Sequence, residues 1–144
     1  LMALGGLAGG GGAGNVAGGA NPAGTGNILN YVDEFVYAYS GYVSVTNTET
    51  SVLKFTTGSA LITADIILNY AGTNQAFNED YAWKVKMNGE VIMGLVMEGA
   101  SLESPPQYFP FLIPPYTEMD FTAANVTDTD ARNMSVILSG RVYQ

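Results

Sequence analysis

Three side chains with oxygen ligands lie close together in the chain, namely Asn125, Asp128 and Asp130. Carboxylate and amide oxygens are the ligands that Ca²⁺ and other hard cations prefer, so these residues are the candidate metal ligands. The segment lacks the central glycine and the terminal glutamate of an EF-hand loop. A solvent-exposed turn, capped by its own Asx side chains, is the structural alternative, and the sequence favours it.

Candidates for acid–base or nucleophilic catalysis are scarce. The chain contains no histidine and no cysteine, which removes the commonest general base, thiolate nucleophiles and disulfides. Glu79 and Asp80 are the kind of paired acids that glycosidases use, but adjacent acids in a polar loop are typical of plain surface. Asp65 interrupts an apolar run, where a structural ion pair or a reversal of the strand face is favoured over a catalytic acid. We therefore predict no catalytic residue, no cofactor and no enzymatic activity.

Aromatic side chains cluster in a segment that is rich in proline. Residues 101–115 carry five of the six prolines, and four aromatic residues lie in or beside this segment: Tyr108, Phe109, Phe111 and Tyr116. Such rings anchor protein interfaces or stack on sugars, and they also pin a proline-rich crossover to a sandwich. The sequence leaves the functional and the structural role equally open. If the role is functional, a protein interface is favoured over a glycan, because Phe109 and Phe111 have no polar groups.

The elements that carry these residues are predicted to be strands. Asn88-Gly89 separates two alternating runs within residues 81–97, and this pair predicts a type I′ hairpin because both residues must take positive φ. Further strands are predicted at residues 35–47 (one or two, with a bend at Gly41), 51–57, 60–70, 108–113, 117–122 and 133–143, where Gly140 breaks the alternation. This pattern predicts an all-β fold, an antiparallel two-sheet sandwich. A jelly roll is favoured over an immunoglobulin-like fold, which would have a Cys-Trp-Cys pattern.

The N-terminal part of the chain has a different composition. Residues 1–32 contain no charged residue, and eleven of the 18 glycines lie within residues 1–26. A glycine-rich segment buries too little apolar surface to offset its ordering entropy. We therefore predict a flexible, uncharged assembly arm over residues 1–27 and a β-sandwich domain over residues 28–144. A membrane-inserting arm is disfavoured, because glycine and alanine contribute little transfer energy.

The charge of the chain restricts its partners. The sequence has 13 acidic and 5 basic residues, a net charge of −8. Binding to phosphates requires clustered lysine and arginine, and the five basic residues are scattered along this sequence. The composition therefore argues against a nucleic-acid partner.

Two features together resemble small single jelly-roll structural proteins of bacteriophage-type virions. They are the uncharged arm that leads into one sandwich and the ending LIPPYTEMDFTAANVTDTDARNMSVILSGRVY over residues 112–143. The resemblance implies a capsid, penton or decoration subunit in the virion, with copies of itself or other capsid proteins as partners. It also implies that the arm reaches under a neighbouring subunit. An adhesin or glycan-binding sandwich, extracellular or attached to a cell surface or a phage tail, is the alternative.

Overall fold

The computed structural model describes residues 29–71, 80–97 and 107–143. Every regular element in these ranges is a β-strand. In chain order the strands are β1 (Asn30–Val32), β2 (Phe35–Tyr39), β3 (Val43–Val45), β4 (Thr50–Thr56), β5 (Leu61–Ala71), β6 (Tyr81–Met87), β7 (Glu90–Met97), β8 (Gln107–Ile113), β9 (Glu118–Asn125) and β10 (Arg132–Tyr143). No helix in the described ranges has the length and apolar character needed to cross a membrane. The predicted arm, residues 1–27, lies outside the described residues.

The strands form two antiparallel sheets, whose inner faces share one hydrophobic core. One sheet has four strands in the order β4-β9-β6-β7. The other has six strands in the order β1-β2-β10-β5-β8, and β3 pairs with β10 beside β2. The inward positions of both sheets supply the core, whose largest fully buried side chains include Trp83, Tyr81, Phe121, Leu53 and Ile66. The predicted all-β fold and two-sheet sandwich are confirmed.

The hairpin predicted from Asn88-Gly89 is present. Strands β6 and β7 pair antiparallel, and the two turn residues have φ values of 52° and 85°. The turn also contacts β9, since the Asn88 amide donates to the Glu118 carbonyl over 2.8 Å and the Asn88 Oδ1 accepts from the Glu118 amide over 2.9 Å. A local sequence signal therefore places one end of a hairpin against a strand that lies 30 residues further along the chain.

The pairing of strands is nested along the chain. The innermost pair is the hairpin β6–β7, and β5 pairs with β8 around it. The next pair outward along the sequence is β4 with β9. The outermost pairing joins β10 to both β2 and β3. Each pair therefore encloses the previous one in sequence, as in a single long hairpin that is rolled across two sheets.

The predicted closing strand is present, but Gly140 does not break its alternation, and that part of the prediction is wrong. Strand β10 continues to Tyr143, and Gly140 occupies an inward position of the same alternation. A Cβ atom at Gly140 would meet the carbonyl oxygen of Thr63 and lie 2.7 Å from the Cα of Ala64. Glycine is required here because the backbone of β5 approaches closely.

One further difference and one confirmed prediction concern the edge of the six-stranded sheet. Strand β1 was not among the predicted strands, because its three residues show no alternation of their own. The predicted bend at Gly41 is confirmed, since Gly41 has a φ of 69° and separates β2 from β3. The Ser40 Oγ accepts the Val136 amide over 2.8 Å, so a side chain completes the ladder at this break.

We expect Gly140→Ala to lower the free energy of unfolding by about 2 kcal/mol or more, because the β5 backbone must shift to admit the methyl group. Chemical denaturation of both proteins measures the change. Gly58→Ala is the matched control, since a Cβ at Gly58 meets nothing within 4 Å. A loss at position 140 no larger than that at position 58 would contradict the close approach.

Candidate functional site

The three candidate metal ligands lie in and before the loop of residues 126–131. Asn125 is buried, and its Oδ1 accepts the backbone amides of Thr127 and Asp128 over 2.9 and 3.2 Å. Its Nδ2 donates to Asp128 Oδ1 over 2.9 Å and to the Asp130 carbonyl over 3.2 Å. These bonds build the Asx-capped turn that was the structural alternative. Within the described ranges, no group of three or more acidic side chains is placed to hold a metal ion.

The aromatic residues of the proline-rich segment separate into two groups. Phe109 and Phe111 are half-buried and pack against the core, and the Phe111 ring lies edge-on to Phe121 with a centroid distance of 6.5 Å. Tyr116 is 73% exposed, in the turn before β9. Tyr108 lies in β8 with its Cα opposite that of Ile67. The two phenylalanines therefore contribute to packing, and the interface role of the four residues stays a prediction.

Asp65 occupies an ordinary outward position of β5. Its neighbours Ala64 and Ile66 are buried, so the strand does not reverse its face. The side chain forms no hydrogen bond or ion pair with any described residue, and Arg141 on the neighbouring strand β10 binds Glu34 instead. Both structural explanations offered for Asp65 in the sequence are therefore wrong. Of the paired acids considered there, Glu79 lies outside the described residues, and the backbone amide of Asp80 donates to Thr127 Oγ1 over 2.9 Å.

Over strands β4, β9 and β6, the outer face of the four-stranded sheet is charged. This charged face consists of Ser51, Lys54, Lys84, Lys86, Glu118, Asp120 and Thr122. Glu49, from the loop before β4, lies over it and accepts hydrogen bonds from Lys86 Nζ at 2.6 Å, Lys84 Nζ at 3.3 Å and Thr122 Oγ1 at 2.8 Å. These bonds, that from Lys86 first, lower the pKa of Glu49 to about 2 and raise the pKa of Lys86.

Each of the five basic residues of the chain forms an ion pair within the chain. Lys84 and Lys86 share Glu49, and the other three pairs are Lys54–Glu118 at 3.8 Å, Arg132–Asp130 at 3.4 Å and Arg141–Glu34 at 2.7 Å. Four acids therefore pair with all five cations, so the paired groups together carry a charge of +1 and the nine remaining acids carry −9. A partner that binds through salt bridges would have to supply the positive charge itself.

The outer face of the six-stranded sheet is apolar and aromatic. This aromatic face consists of Phe35, Tyr37 and Tyr39 on β2, Ile137, Ser139, Arg141 and Tyr143 on β10, Thr63, Asp65 and Ile67 on β5, and Pro110 and Leu112 on β8. The Tyr37 and Tyr39 rings are 5.0 Å apart. The Arg141 guanidinium lies 4.9 Å from the centre of the Phe35 ring and is held there by Glu34. The positive charge of Arg141 therefore interacts with both the Glu34 carboxylate and the Phe35 ring.

A shallow groove of about 700 Å³ crosses the aromatic face. Phe35 and Tyr37 form one wall, and Pro110 and Leu112 form the other. Thr63, Asp65 and Ser139 lie between the walls. The groove thus presents apolar surface around one carboxylate, which suits the binding of a partner surface or a polyhydroxylated ligand. It assembles no acid–base pair or nucleophile.

Sequence reasoning missed both faces. For the aromatic face the signal is the alternation inside β5 and β10, where the outward residues include Ile67, Ile137 and Tyr143. Which outward residues of distant strands become neighbours depends on the register, which no local pattern specifies. No family model matches the chain, and no curated protein matches it. Any function proposed for the chain must therefore rest on its surface chemistry and its topology.

We expect Glu49→Gln to lower stability by about 0.5–1 kcal/mol at neutral pH, the range of exposed ion pairs. The pKa of Glu49 is about 2 in the folded chain and is 4.5 for the unperturbed group. The stabilisation is therefore fully present above about 4.5 and is lost as the pH falls towards 2. Unfolding curves from pH 7 to pH 2 should show the two proteins converging. A constant difference across this range, or an equal effect of Glu90→Gln, would contradict the Glu49 network.

Proposed function

We propose that the chain is a non-enzymatic structural subunit of a virion, a capsid, penton or decoration protein that associates with copies of itself or with another shell protein. The observation that carries the proposal is the contrast between the two outer faces of the sandwich. The charged face is neutralised by its own ion pairs, whereas the aromatic face exposes apolar side chains around a groove. A solvated face needs no partner, but contiguous exposed apolar surface is typical of interaction sites.

The topology supports a jelly roll as the form of this sandwich. A jelly roll is a two-sheet sandwich of eight strands, and it recurs in viral capsid domains. Counting β2 with β3 as one broken strand and leaving out the short β1, the nested pairs are β2/β3–β10, β4–β9, β5–β8 and β6–β7. This is the pairing of one long hairpin folded over two sheets. Fold alone does not imply function, so the surfaces must carry the rest of the proposal.

The aromatic face is the proposed subunit contact. Several of its apolar side chains, such as Phe35, Leu112 and Tyr143, are about half exposed, and Leu112 is 58% exposed. Burying apolar surface stabilises a contact by about 25 cal/mol per Å² before the costs of association. The arm, residues 1–27, is proposed as a second assembly element because it has no charge and its glycines permit close backbone approach.

Substitution on the aromatic face tests the contact. We expect Leu112→Glu to weaken self-association at least tenfold, since it buries a charge in an apolar interface between two acidic chains. Val126→Glu is the matched control, because Val126 is also 58% exposed but lies in the loop before β10. Light scattering across a concentration series gives the masses. Equal behaviour of the two variants would exclude the aromatic face. The second candidate function is a glycan-binding sandwich, which is favoured by the Asp65 carboxylate as a hydrogen-bond acceptor in the groove. If both variants are monomeric and bind glycan in the groove, this second candidate is supported instead.

The charge distribution gives a second prediction, on salt. Copies with a charge of −8 repel one another, and no basic residue is left over to bridge them. The Debye length, over which charges act on one another, falls from about 30 Å at ~10 mM salt to about 3 Å at ~1 M. We therefore expect the mass of the assembly to rise with salt. Assemblies that dissociate as salt is added would show that ionic contacts hold the subunits together, contrary to the proposal.

A further inference from the structure

Most edge strands of the sandwich carry a feature that hinders pairing with another chain. Strands β1 and β3 have only three residues each. Strand β8 contains Pro110, which has no amide hydrogen to donate. Strand β4 carries the charged Lys54 at its centre. Short strands, proline and lysine are the devices by which natural sheets avoid edge-to-edge association.

Strand β7 ends the four-stranded sheet without such a device over most of its length. It has eight residues, and after Glu90 it contains neither charge nor proline. Ile92 is the extra residue of a β-bulge, but residues 93–97 pair with β6 in regular register. The outward side chain of Val96 is 55% exposed. An uncharged, regular and exposed edge is a template for a further strand.

We propose that the edge strand β7 pairs with β7 of a second copy of this chain, antiparallel and about a two-fold axis at residue 94, 95 or 96. The proposal rests on the assembly role proposed above and names one of its contacts. Parallel pairing in register would place the Glu90 carboxylates of the two copies beside each other, where they repel. In the antiparallel arrangement each Glu90 lies outside the paired segment and does not face the other.

The charges around β7 select a second copy as the occupant. Two chains of charge −8 can approach most closely where they carry none, and residues 91–97 are uncharged. The neighbouring strand β6 presents Lys84 and Lys86, which share the single carboxylate of Glu49. A basic peptide therefore finds no counter-charge along the regular part of this edge. The edge-to-edge dimer joins two four-stranded sheets into one continuous sheet of eight strands.

A two-fold edge contact explains how the aromatic face can build more than a pair. An isologous contact closes on itself, so one such surface yields a dimer only. A subunit that also associates through a second, separate surface extends the assembly. The β7 edge and the aromatic face lie on different sheets, so one subunit can use both.

Single cysteines test the pairing, because the chain has none of its own. Gly94 and Val96 both point outward, and a Cβ at Gly94 comes no closer than 4.0 Å to the Trp83 carbonyl. Residues directly opposite in antiparallel strands have Cα atoms about 4.5–5.5 Å apart, which a disulfide spans. We expect an intermolecular disulfide under glutathione disulfide in one of three samples, according to the position of the axis. An axis at residue 94 gives it in Gly94→Cys alone, and an axis at residue 96 gives it in Val96→Cys alone. An axis at residue 95 gives it in the mixture of the two variants. Thr56→Cys, on the edge of β4, is the control and should form none.

Performing the same oxidation in the Leu112→Glu background separates this inference from the proposed function. Disulfides that persist there support the edge contact even where the larger assembly is lost. Absence of all three disulfides, or equal cross-linking of the Thr56 control, overturns the edge pairing whatever the aromatic face does. Val96→Glu and Val96→Lys should each weaken association at least tenfold relative to the same changes at Val126. Opposite effects of the two charges would indicate general electrostatics and overturn the proposal.

Discussion

The close pairing of β10 with β5 is the constraint on which the rest of the sandwich depends. The two strands pair over eleven consecutive residues, and this register requires the missing side chain at Gly140. On its other edge β10 holds β2 and β3, so one strand joins the beginning, middle and end of the described chain. Non-local pairing of this kind is reached only after loop-closure entropy has been overcome, which makes such folds slow to form. The aromatic face and the core side of the six-stranded sheet follow from its register.

Local patterns predicted the parts of the fold that local chemistry determines. Asn88-Gly89 predicted its turn because a type I′ turn depends only on two adjacent residues that can adopt positive φ. Alternation identified most strands to within a few positions. Strand β1 and the role of Gly140 were not predictable in this way. Among the described strands, the first pairs with β2 alone, and the second depends on the backbone of a strand far away in sequence. Tertiary context decides both.

The candidate site shows the same division. The Asn125 turn is local, and its capped form was among the alternatives the sequence offered. The aromatic face is not local, because Phe35, Thr63 and Leu112 become neighbours only through the registers of three strand pairs. Glu49 likewise finds Lys86 across the sheet. The sandwich thus separates its chemistry, with ionic contacts satisfied on one side and apolar surface presented on the other.

The central position of β10 also has a consequence for biosynthesis. Translation produces β10 after every strand with which it pairs, so a nascent or truncated chain that stops before residue 132 exposes the facing edges of β2 and β5. Those edges are an opportunity for unintended strand exchange between nascent chains on one polysome. Synthesis and docking of β10 cover both edges in one step. Chains that stop before β10 are therefore the ones in which these two edges stay open to exchange.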